Sequence, residues 1–93
     1  MQLRNIFTSP NYYAVCESDR SENWVIFVVV GGIAMYEVIV ELTADEVSTF
    51  NRDGHLDDLA RQIAKNADAF APRTLKPIDS KDKITFVTHL SPT

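Results

Sequence analysis

The chain has 93 residues, enough for one hydrophobic core and too few for two, so a single domain over 1–93 is expected. Apolar residues make up 45% and charged residues 24%, which excludes the polar, charge-rich profile of a disordered chain. Thirteen Asp and Glu against nine Lys and Arg leave a formal charge of −4, which argues against nucleic acid as a partner and fits a basic partner, or none, better.

The stretch from Met1 to Phe7 carries one basic residue and then meets Thr8, Ser9, Pro10 and Asn11, without the apolar run of a signal peptide. The lone Cys16 has no intramolecular disulfide partner and suits a reducing compartment, so a cytoplasmic location is expected. The first predicted strand is Tyr12-Tyr13-Ala14-Val15-Cys16, followed by the turn-forming run Ser18 to Asn23. Trp24 to Val30 is the strongest strand candidate, because branched and aromatic side chains fit a pleated surface better than a helix. Apolar residues and glycine run unbroken from Trp24 to Tyr36. The run ends at Glu37, short of the roughly 20 residues a membrane-spanning helix needs, so no membrane partner is expected.

Gly31-Gly32 reads as a two-residue hairpin turn, with the next strand from Ile33 to Leu42. That turn sets Val30 against Ile33, Phe27 against Tyr36 and Val25 against Val38, with the last two pairs facing the core. The opposite face then carries Trp24, Ile26, Val28, Val30, Ile33 and Met35, more apolar surface than a solvated sheet face shows. Two readings follow. Either Leu3, Ile6 and Phe7 of an N-terminal arm cover it, or it is a protein interface, most simply that of a homodimer.

Thr43-Ala44-Asp45-Glu46 carries the Thr-x-x-Glu capping box and starts a short helix that Asp53-Gly54 stops. Leu56, Leu59, Ala60, Ile63, Ala64, Ala67 and Phe70 recur at helical spacing and predict a second helix, closed by Pro72. Arg73 to Lys83 reads as a polar connector, and Ile84 to Leu90 as the last strand. The expected fold is α+β: a mainly antiparallel sheet, a three-stranded meander plus a C-terminal strand in the order βββααβ, with two helices on one face.

Motifs that carry chemistry are sparse. Acidic residues surround Gly54, but aligning it with the central glycine of a calcium loop puts Ala60 where a bidentate Glu belongs. His55 and Asp58 make at most half a metal site, and no HExxH or CxxC pattern completes it, so no cofactor is expected. Gly31-Gly32 matches no phosphate-loop pattern, and the basic connector Arg73, Lys76, Lys81 and Lys83 is diluted by Asp79 and Asp82. The leading expectation is a small non-enzymatic interaction or regulatory module, homodimeric or bound to a basic partner that it neutralises. The alternative is a small-molecule binder or small enzyme whose site is assembled in space from Tyr12, Tyr13, Cys16, His55 and His89.

Overall fold

A computed structural model describes residues 1–31, 36–75 and 84–90. Four strands come first: β1 (Gln2–Ser9), β2 (Tyr13–Ser18), β3 (Trp24–Val30) and β4 (Tyr36–Glu41). Helices α1 (Ala44–Asp53) and α2 (Asp57–Lys65) follow, then a 3₁₀ helix (Ala67–Arg73) and the short strands β5 (Thr74–Leu75) and β6 (Thr85–Val87). Among the described residues, six strands form one sheet in the order β5-β4-β3-β2-β1-β6. The first four are antiparallel neighbours, β5 pairs antiparallel with β4, and β6 pairs parallel with β1. This corrects the βββααβ expectation: the meander has four strands, both of its edges are extended, and a third helical segment follows α2.

The missing strand is β1, whose alternation is broken in the sequence. Its register against β2 shifts between Asn5 and Phe7, so one extra residue is accommodated as a bulge. Ile6 and Phe7 thereby both reach the helix-side core, while Leu3 lies in the cluster on the opposite face. A strict two-residue period cannot find such a strand. Pro10-Asn11-Tyr12 closes the β1–β2 hairpin, with Tyr12 at φ 64°. That left-handed third position of a three-residue loop is one glycine usually fills.

The pairing of β3 with β4 also differs from expectation. Val38 stands opposite Val28 rather than Val25, and Tyr36 opposite Val30 rather than Phe27. The offset is odd, so every side chain of β4 changes face relative to β3. The cause is loop length: β3 ends at Val30 and β4 begins at Tyr36, a wider connection than a two-residue turn. Gly31 has φ 106°, as a tight change of direction demands, while Gly32, Ile33 and Met35 lie outside the described residues.

One sheet face thus gathers Val15, Ile26, Val28, Val30, Val38, Val40 and Leu42 beneath Leu56, Ala60 and Ile63 of the helical layer. Trp24, Val47, Phe50 and Phe70 pack around this core. Ile26 and Val28 are 0% and 2% exposed. The apolar face read either as internally covered or as a protein interface is therefore the main core: helices cover it with Ile6 and Phe7 packed alongside, Leu3 lies on the opposite face, and among the described interface candidates only Trp24 keeps appreciable exposure.

Helix α1 starts as its sequence dictates: Thr43 Oγ1 accepts from the Glu46 N–H and Glu46 Oε1 accepts from the Thr43 N–H. Gly54 ends it at φ 80°. Helix α2 is shorter than its apolar stripe suggests. Asn66, at φ −150° and ψ 70°, breaks it, and the 3₁₀ turn that follows contains Pro72, which cannot donate within an α-helix. The break lets Arg73 reach back, its Nη1 donating to Glu46 Oε1 at 2.6 Å and to the Glu41 carbonyl at 3.0 Å. Thr74 and Leu75 then meet the edge of β4. The expected connector is thus partly ordered structure, and its remainder, with Lys76, Lys81 and Lys83, lies outside the described residues.

A smaller core occupies the reverse face, where Leu3, Ala14, Cys16, Val25 and Ile39 are buried beside Phe27, Leu75 and Ile84. The last strand is three residues, Thr85–Val87, rather than Ile84 to Leu90. Its Phe86 ring meets Phe27 edge-on, with centroids 5.6 Å apart. Strands β2 and β1 stand between these two residues in the sheet, and flat neighbours are spaced about 4.8 Å, so this contact requires the sheet to curl toward that face.

Candidate functional site

Polar side chains converge where α2 begins. The buried Tyr13 hydroxyl donates to Asp57 Oδ1 at 2.5 Å and accepts from the Leu56 N–H at 2.9 Å. Asn11 Nδ2 donates to Asp57 Oδ2 at 3.4 Å, and His55 Nδ1 lies 3.8 Å from the same oxygen. The Tyr13 phenol is pushed up from its ordinary value, first by burial and then by its bond to Asp57. The Asp57 carboxyl is held down, chiefly by that same hydroxyl.

A tyrosine, a carboxylate and an imidazole together suggest acid–base chemistry, but their bonds are already committed. The Tyr13 oxygen is engaged as donor and acceptor, and His55 Nδ1 accepts from the Asp57 N–H at 3.3 Å. The group acts as a clamp fastening the start of α2 to β2.

The other members of the expected site are scattered. Cys16 is 0% exposed on the sheet face opposite Tyr13, and burial pushes its thiol up to about 11. A thiol so placed supplies almost no thiolate near neutral pH. His89 is exposed beyond the end of β6, and Tyr12 is exposed at the hairpin turn. Of the five residues, the structure links only Tyr13 and His55, through Asp57 at the start of α2. Among the described residues, no group of three or more His, Cys, Asp or Glu is arranged to hold a metal ion, and no helix is long and apolar enough to cross a membrane.

Among the described residues, an open cleft of about 440 Å³ lies on the reverse sheet face. Asn5, Thr8, Tyr12, Phe27, Val29 and Phe86 line it. It exists because α1 and α2 both take the other face, while β6 sets Phe86 at its rim. Phe86 is 54% exposed and Tyr12 is 75% exposed. Glu37, also exposed, stands opposite Val29 in the β3–β4 ladder and so shares its face at the border of the cleft.

Sequence reasoning missed this site because the assumed hairpin register placed Phe27 in the main core. The available signal was that β3 is apolar on both sides, with Phe27 and Val29 forming its second row. The carboxylate nearest the cleft by strand register is that of Glu37. Arg4, Arg52, Arg61 and Arg73 are each tied to a carboxylate, of Glu17, Asp53, Asp58 and Glu46 respectively.

No protein-family model matches the sequence, and neither curated proteins nor solved structures give a match.

Proposed function

We propose that the chain is a non-enzymatic protein-interaction module whose docking surface is the cleft among Tyr12, Phe27, Val29 and Phe86. The observation that carries this reading is the exposed pair of aromatic rings on a sheet face that the helices leave uncovered. Aromatic side chains supply large contact area at little entropic cost, and they dominate binding energy where a partner excludes water from them. The cleft is open, and small-molecule sites enclose most of their ligand, so a macromolecular surface fits it better. The burial of Cys16 and the committed Tyr13 hydroxyl favour a binding role over covalent or acid–base catalysis. A free cysteine suits work in a reducing compartment such as the cytoplasm.

Panning a displayed library of random dodecapeptides on the intact chain tests this, with Val29→Lys as the counter-surface and circular dichroism to confirm that it is folded. Val29 is only half-buried and a lysine there faces Glu37, so the variant is expected to fold. The expected result is a set of peptides retained by the wild type and at least tenfold less by Val29→Lys. Peptides held equally by both proteins, or no retained peptides, would overturn the reading.

A further inference from the structure

We infer that the occupant of this cleft is a cationic segment of a partner protein, which inserts an apolar side chain between Phe27, Val29 and Phe86 and sets a Lys or Arg against Glu37. The inference rests on the docking role proposed above and adds the chemistry of the partner.

Glu37 is the charged residue that the β3–β4 register sets beside the cleft, on the same face as Val29 and directly opposite it. A carboxylate bordering apolar walls interacts more strongly with an incoming cation than one surrounded by water, because the local dielectric is lower. Tyr12 and Phe86 are exposed aromatic residues lining the same cleft, and aromatic rings attract ammonium and guanidinium groups.

The charge of the whole chain acts in the same sense. A formal charge of −4 draws a basic segment toward the surface before contact. A second copy of this chain carries the same charge and is repelled, so a basic partner fits the cleft better than self-association does. The apolar floor supplies the other half of the recognition, since charge alone steers encounter without fixing a register.

Three synthetic dodecapeptides, each with one fluorophore, test the inference by anisotropy: alternating Leu and Lys, alternating Leu and Glu, and alternating Ser and Lys. The Leu-Lys peptide is expected to bind the wild type, at least fivefold more weakly to Glu37→Lys and to Phe86→Ala, and less tightly as salt is raised. The Leu-Glu and Ser-Lys peptides are expected to bind at least tenfold more weakly than Leu-Lys. Glu22→Lys, at an exposed turn position, makes the same change in net charge and should weaken Leu-Lys binding less than twofold. Equal losses at Glu22 and Glu37 would reduce the effect to net charge and overturn the inference, as would unchanged binding to Glu37→Lys or absence of Leu-Lys binding. If library peptides still discriminate Val29→Lys while Glu37→Lys changes nothing, the docking role stands and the cationic partner is wrong.

Discussion

Tyr12 pays a backbone cost that its neighbours do not. A side chain at φ 64° is held about 1–2 kcal/mol above the right-handed or extended regions, and this one is exposed rather than packed. Tyr12→Gly is therefore expected to raise stability by up to about 1 kcal/mol in urea denaturation while weakening peptide binding at the cleft. A loss of stability would show that the tyrosine ring is structural. Tyr13, one residue on, has the opposite character. Tyr13→Phe strips the acceptor from the Leu56 N–H and the donor from Asp57, and should cost about 1–3 kcal/mol by the same method. The pH dependence has a definite sign. Asp57 titrates below its unfolded value when folded, so its contribution is complete above the ordinary carboxylate range near 4 and disappears as the pH falls through the lower folded value. Tyr13→Phe should flatten that acid-side loss in thermal midpoints measured between about pH 5 and pH 2.

At the level of elements, adjacent residues of β3 have opposite fates. Val28 lies in the core beneath the helices and Val29 lines the cleft. Val28→Asp buries a carboxylate without a partner and should unfold the chain or cost more than about 3 kcal/mol by chemical denaturation, whereas Val29→Lys keeps the fold. Retained folding in Val28→Asp would mean that the β3–β4 register is wrong. Behind α1, burial pushes the Glu46 carboxyl up, but the Arg73 guanidinium and the Thr43 amide together hold it below its ordinary value. Arg73→Met should cost about 2 kcal/mol at neutral pH, with the difference from wild type shrinking as Glu46 is protonated. Much of this level was legible in the chain itself. The capping box of Thr43 and Glu46, the β preference of Trp24 to Val30 and the stripe through Leu56, Ala60 and Ile63 each express one local rule, and each stands in the structure. Strand β1 and the register of β4 were not legible. A bulge at Ile6 and a loop longer than Gly31-Gly32 change side-chain parity, and parity decides which face is core. The cleft was hidden for the same reason, since Phe27 and Glu37 acquire their common face only through the true register.

The described residues combine a helix-covered core with a second sheet face that they close only in part. The chain's formal charge of −4 favours a cationic partner, and four of its arginines, Arg4, Arg52, Arg61 and Arg73, are tied to carboxylates of the chain itself. Association should accordingly slow and weaken as salt is raised from about 50 to 300 mM, a range over which screening tightens from roughly 14 Å to below 8 Å. Backbone amide chemical-shift mapping of the intact chain, titrated with the Leu-Lys dodecapeptide, tests the docking surface most directly. Shifts are expected to concentrate at Tyr12, Phe27, Val29, Glu37 and Phe86, with the amides of α1 and α2 unmoved. Shifts centred on the helices, or spread evenly over the surface, would contradict that placement.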